Sequence, residues 1–305
     1  ADIEPAIGGC GSLTCELTEV AANPNVITAV ALMGMTALIA LAYVRDASEE
    51  CRREQRRVLD ERDAFSEFAD RVAALDLGLA PSSTADSTGP VARVYQTTTS
   101  GKSPDITLQR VLSRYRDTVM SVAHYETEYH ETISESLAAE LGPDMATSLA
   151  ANKTLSPAAK NALVSRSRKA VDARDSLADA IEVELDALTG IESELSAIDR
   201  RRRRLIAHLD EINVGRTDAA LDIWHRLNEF EIETENVATE RQRSLRTPPV
   251  QVDTGVADTD EMAFYEYLYR PIDGPSHPVL AQIADLTTEI HDDRDRVATL
   301  IANGD

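Results

Sequence analysis

The sequence predicts an all-α chain: a single N-terminal transmembrane helix followed by a cytoplasmic helical bundle that contains a long antiparallel coiled-coil hairpin. Three observations carry this. Val26–Val44 is an uncharged, mostly apolar run that stops at Arg45-Asp46. Stepping alternately by three and four from Leu163 to Ile212 visits fifteen positions, eleven of them Leu, Ile or Ala. No proline falls between Pro157 and Pro248, whereas Gly/Pro pairs punctuate the chain elsewhere.

The apolar run sets the frame. About 20 residues rising ~1.5 Å each cross a ~30 Å hydrocarbon core. Residues 1–25 carry no Lys or Arg, so they lack the basic start of a secretory signal. Beyond the run stand Arg45, Arg52, Arg53, Arg56, Arg57 and Arg62. Arginine excess on that side places the N-terminus outside and the larger part in the cytoplasm, a single-pass protein of the cell membrane. Arg52, Arg53, Arg56 and Arg57 are the candidate contacts for anionic lipid. In the external tail, residues 1–25, Cys10 and Cys15 either close a small disulfide loop or stand as two thiols. Cys51, inside, is alone.

Residues 45–79 continue as an amphipathic juxtamembrane helix, with Val58, Phe65, Phe68, Val72 and Leu75 at helical spacings. Residues 80–104 are rich in Ser, Thr, Gly and Pro and read as a linker. Ser103-Pro104-Asp105 is a helix start, a cap followed by proline and an acid in the first turn. From it a helix is expected to run to Leu141, ahead of Gly142-Pro143, within a helical segment 105–156.

Residues 157–246 read as the hairpin. The seam from Leu163 is apolar except at Ser167, Arg174, Glu184 and Arg202, which argues for a coiled coil. Asn213-Val-Gly215 offers the turn, and Ala220, Ile223, Leu227, Phe230, Val237 and Leu245 form the returning face. A short turn between helices favours antiparallel packing. In a parallel dimer two copies of Arg202 would meet, whereas in a hairpin Glu229 or Glu231 is near enough to pair with it. Residues 247–276 read as a second linker with a Tyr-rich island. Residues 277–305 hold a last amphipathic helix through Val279, Ile283, Leu286, Ile290, Val297 and Leu300.

Formal net charge is −22, from 53 acidic and 31 basic side chains, with 27 Arg and only 4 Lys. That balance suits a solubilising surface in high salt, where charges are screened within a few Å. It opposes nucleic-acid binding. Arg200 to Arg204 spread around a whole helix turn and are expected to pair with carboxylates of the hairpin. His124, Glu128 and Glu131 stand at helical spacing for a metal, but acidic helices generate such spacing freely. No Ser-His-Asp set, phosphate-binding glycine loop or zinc-type Cys/His cluster occurs, so no enzyme chemistry, cofactor or metal is expected.

Tyr43-Val-Arg-Asp with the Glu/Arg-rich run to Asp60-Glu-Arg-Asp-Ala-Phe-Ser-Glu-Phe-Ala-Asp-Arg-Val resembles an uncharacterised haloarchaeal family. So do Ser113-Arg-Tyr-Arg-Asp-Thr-Val-Met-Ser-Val-Ala-His-Tyr-Glu-Thr-Glu-Tyr and Leu141-Gly-Pro-Asp-Met-Ala. The resemblance implies a single-span membrane protein of a halophile with a helical cytoplasmic region, a domain of unknown function. It brings no catalytic residue. The expected partners are the bilayer and either a second copy or another helical protein. The expected role is a membrane-anchored scaffold, with a transmembrane signalling component as the alternative.

Overall fold

The structure, a computed structural model, describes residues 41–76, 104–151, 155–211, 216–252 and 262–303. Its elements are α1 (Ala42–Ala73), α2 (Pro104–Arg116), a 3-10 turn (Val119–Ser121), α3 (Tyr125–Glu128), α4 (Ile133–Leu141), α5 (Pro143–Ala151), α6 (Pro157–Glu211), α7 (Arg216–Leu245), α8 (Phe264–Tyr269) and α9 (Pro278–Asn303). Two short strands, β1 (Gln251–Val252) and β2 (Met262–Ala263), pair antiparallel. The all-helical class therefore stands. The proposed span lies outside the described residues except for Leu41–Val44, and no described helix is long and apolar enough to cross a membrane.

The chain divides into two compact units, and α1 and α6 each contribute to both. The first unit takes residues 49–187 and 244–271. Its core gathers Phe65, Phe68 and Val72 of α1, Val111 and Tyr115 of α2, Leu137 and Leu141 of α4, Met145 and Leu149 of α5, and Leu163 of α6. Tyr115 stands edge-on to Phe68 at 5.1 Å between ring centres, and its hydroxyl bonds Ser136 at 2.8 Å. Such pairing lets a large aromatic be buried without orphaning its polar end. Gly142, at φ +91°, turns the chain between α4 and α5. A Cβ there would meet the Arg166 guanidinium at 2.7 Å, which crosses to Asp144.

The continuous helix expected over 105–141 is instead broken into α2, the 3-10 turn, α3 and α4. The chain leaves α2 at Arg116, and His130 takes a left-handed φ of 45°. Thr132 then restarts a helix through a capping box with Glu135. Thr-x-x-Glu ahead of an apolar run is legible in the sequence. The segment read as a linker over 247–276 holds the strand pair and α8, whose Phe264, Tyr265, Leu268 and Tyr269 are buried. Tyr267 bonds Glu54 and Tyr269 bonds the buried Glu184.

The second unit takes the chain up to Ser48, residues 188–243 and residues 272–305. Here α6 and α7 run antiparallel. Arg201 reaches Glu233 and lies 4.9 Å over the Phe230 ring. Next, α9 runs beside both, with Arg202 bonded to Glu289 and Asp293, and Arg296 to Asp210. Leu188, Leu195, Ile198, Leu227 and Ile290 fill the interior and are essentially inaccessible. The partners expected for Arg202, Glu229 and Glu231, are replaced by Asp199 and the two α9 carboxylates. Glu231 instead takes His291 and Arg294. The third helix brought closer acids than the returning one.

The start of α1 belongs to this bundle as well. Leu41 and Val44 are buried, and the Tyr43 amide donates to Gln282 Oε1 of α9 at 3.3 Å. The described helix starts at Ala42, so the Tyr43 amide is one of its first-turn donors, the kind that looks for a partner outside the helix.

Candidate functional site

Four elements of the first unit bring charge into one place. Glu61 comes from α1, Glu140 from α4 and Arg174 from α6, while the 119–131 segment supplies His124, Tyr125, Tyr129 and Glu131. Arg174 sits at the seam position where the heptad breaks. Its Nε donates to Glu61 Oε2 at 2.9 Å, and its Nη2 donates to Glu140 Oε1 at 2.8 Å. The same guanidinium lies 4.4 Å over the Phe65 ring. Glu61 Oε1 in turn accepts from the Tyr129 hydroxyl and bonds His124 Nε2, each at 2.9 Å. Since an ionised carboxylate only accepts, His124 Nε2 is the donor in that bond.

Electrostatics follow from this geometry. Burial alone would raise the Glu61 pKa, but Arg174, His124 and Tyr129 outweigh it and hold the carboxyl below its ordinary range. Glu131 goes the other way: burial raises it, and the neighbouring Glu140 and Glu135 add repulsion. Burial likewise pushes the Tyr115 and Tyr125 hydroxyls up. Two carboxylates in one neighbourhood are therefore held apart in proton affinity. One is clamped by a cation, and the other is left against its own kind.

The residues singled out from sequence are distributed differently. His124, Glu128 and Glu131 do not share a helical face: His124 joins Glu61, Glu128 joins Arg57 and Glu131 lines the cluster. Among the described residues no three His, Cys, Asp or Glu side chains stand together to hold a metal ion. On α1, Arg53 pairs with Glu50, and Arg57 with Glu54 and Glu128, while Arg52 and Arg56 are exposed. Cys10 and Cys15 lie outside the described residues, and Cys51 is fully buried and in no disulfide. In the arginine run, Arg201, Arg202 and Arg203 are ion-paired, and Arg200 and Arg204 are exposed. The Glu61–Arg174 cluster was missed as a site, although Arg174 was visible as a charge on an apolar seam.

The sequence pattern described as Domain of unknown function (DUF7260) matches residues 42–294. It begins at the residue where α1 begins and leaves out nearly all of the apolar run. No curated protein matches, and no solved structure matches.

Proposed function

We propose a role from one premise, that the chain belongs to the DUF7260 family, a domain of unknown function: it is a membrane-anchored helical scaffold that acts by holding a partner rather than by catalysis. The observation that carries this is the apolar run ending where the family domain and its first helix start. With Leu41 and Val44 buried in protein, the anchor is drawn from residues 24–40. Seventeen residues rising ~1.5 Å each give ~25 Å, at the short end of what spans a bilayer. Pro24 suits the first turn of such a helix. Exposed Arg52 and Arg56 remain available to anionic headgroups on the inner side, while Arg53 and Arg57 are engaged by carboxylates.

The scaffolding half of the reading rests on the long α6 and on a net charge of −22 with 27 Arg and 4 Lys, a surface suited to high salt. In the described cluster Arg174, Glu61 and Glu140 are consumed by one another, as in a structural pin. The test is membrane fractionation. The full chain should stay with membranes through an alkaline wash, and deletion of residues 26–40 should release it. Release of the intact chain by that wash would remove the anchor. Pull-down from native membranes at high salt should recover a second copy or another helical protein. Recovery of a lone monomer would remove the scaffold.

A further inference from the structure

The chain passes between its two compact units four times, at 48/49, 187/188, 243/244 and 271/272. The last two passages fall where regular structure is ending or absent, in the final turn of α7 and in the turn ahead of α9. The first two fall inside the long helices α1 and α6. A long helix curves only gently unless something weakens it. Sharp bends fall at proline, at glycine, or where a side chain enters the backbone ladder.

In α6 such a residue stands at the passage. Gly190 is the only glycine between Pro157 and Glu211, and no proline follows Pro157 in that span. Packing does not call for it: the position is exposed, and a Cβ there would meet nothing within 4 Å. Nor does it end the helix, which runs on to Glu211, and its φ is not left-handed. Gly142 makes the contrast, since it has a positive φ and the Arg166 guanidinium stands in the way of a Cβ. Glycine is the poorest helix former after proline, because its backbone has the most freedom to lose. At position 190 the structure offers no use for that freedom except bending.

The other helix is loosened at the same level. The two run antiparallel, with Leu75 at Lys160 and Glu61 at Arg174. Arg45 of α1 bonds Glu192 of α6 at 3.0 Å. Ser48 stands three residues on from Arg45, and Gly190 two residues back from Glu192. Ser48 is buried, and its hydroxyl donates to the Val44 carbonyl at 2.9 Å. That bond competes with the helix ladder and often bends a helix.

We propose that Gly190, with Ser48 level with it, is a hinge at which α6 and α1 bend together, so that the two units change orientation while each keeps its own core. Such a motion asks only a few residues to change φ and ψ, and it runs on the microsecond to millisecond scale. The hinge goes beyond the scaffold reading and stands whether or not the chain is anchored.

The experiment is a distance distribution between two spin labels in the full chain, in detergent at high salt. The labels are carried on unnatural side chains, so the native cysteines stay in place. One pair, at Asp70 and Glu235, has a label in each unit; the reference pair, at Glu235 and Asp292, lies in one unit, and all three positions are exposed. The first pair should give a distribution several-fold broader than the reference pair. Gly190→Ala, which has room for its methyl group, should narrow it towards the reference width. Ala173→Gly softens the same helix at an exposed position inside one unit and should leave the width as in the wild type. A first pair as narrow as the reference in the wild-type chain, a width that Gly190→Ala does not change, or further broadening in Ala173→Gly would each overturn the hinge. The wild-type comparison decides this even if a variant does not fold.

Discussion

Arg174 and Glu61 show how a single residue's surroundings decide whether a charge is an asset. Both side chains are about 15% exposed, so each has given up most of its hydration. Removing Arg174 leaves Glu61 buried with only His124 and Tyr129, and strips Glu140 of the same cation. Arg174→Met should therefore lower unfolding stability by ~3 kcal/mol, the low end for breaking a buried pair, measured by urea unfolding. A loss under ~1 kcal/mol would show the cluster to be an ordinary surface pair. The pH dependence has a fixed sign. Glu61 is lowered in the folded state, so its contribution is fully present above the ordinary carboxylate range and is lost as pH falls through it. Glu131 is raised, so its ionisation weakens the fold, and that penalty sets in as pH rises through its folded value. Glu131→Gln should thus be more stable than wild type at neutral pH and lose that advantage in acid, read from melting temperatures across pH 3–8. An advantage that persists unchanged in acid would assign the effect to something other than charge.

At the scale of elements, the seam of α6 is the most legible feature of the sequence and its polar interruptions the most instructive. Ser167 turns its hydroxyl back to the Leu163 carbonyl at 2.9 Å. Arg174 pairs with α1 and α4, Glu184 accepts from Tyr269 of α8, and Arg202 pairs with α9. A polar residue on an apolar seam commonly fixes register and partner, and here three of them each designate a different neighbour. The departures from heptad pattern could be read off the sequence. Their partners could not, because Glu61 and Glu140 look like any other acid on an acidic helix until the chain is folded. The breaks in 116–132 were missed for a related reason: Tyr- and Glu-rich stretches keep helical spacing while caps and a left-handed His130 override it. The start of α1 depends equally on a distant residue, since Gln282 caps the Tyr43 amide. Gln282→Ala should cost about 1 kcal/mol, as loss of a helix cap does. Hydrogen exchange should quicken at residues 43–45 and stay unchanged at residues 65–72. Equal protection at both in the variant would mean that Gln282 does not cap the helix.

At the scale of the whole molecule, two expectations concern how the chain holds itself together. Cysteines placed at 198 and 234, on facing stretches of α6 and α7, should crosslink within one chain at any dilution. Crosslinks that vanish on dilution would make the seam a contact between copies. The second expectation concerns salt, and here two electrostatic effects oppose each other. Lowering salt strengthens each ion pair, but exposed pairs such as Arg226–Glu229 and Arg243–Glu240 contribute only ~0.2–1 kcal/mol apiece. The buried pairs around Arg174 and Arg202 are hardly screened at any salt and change little. Against this stands the repulsion of a net −22, which is long-ranged. Its reach grows from ~3 Å in molar salt to ~30 Å at 10 mM, so acids on separate helices that ignore one another at high salt begin to interact. Repulsion among many distant pairs then exceeds the small gain of a few adjacent ones. Helical circular dichroism and melting temperature of the chain should both fall as salt drops from molar to millimolar. Replacing exposed acids on α7, for example Glu229, Glu235 and Glu240, with Gln should flatten that slope, whereas Arg174→Met should lower stability by the same amount at every salt concentration. A slope untouched by the Glu→Gln set would place the salt effect in burial or ion binding rather than in the surface charge.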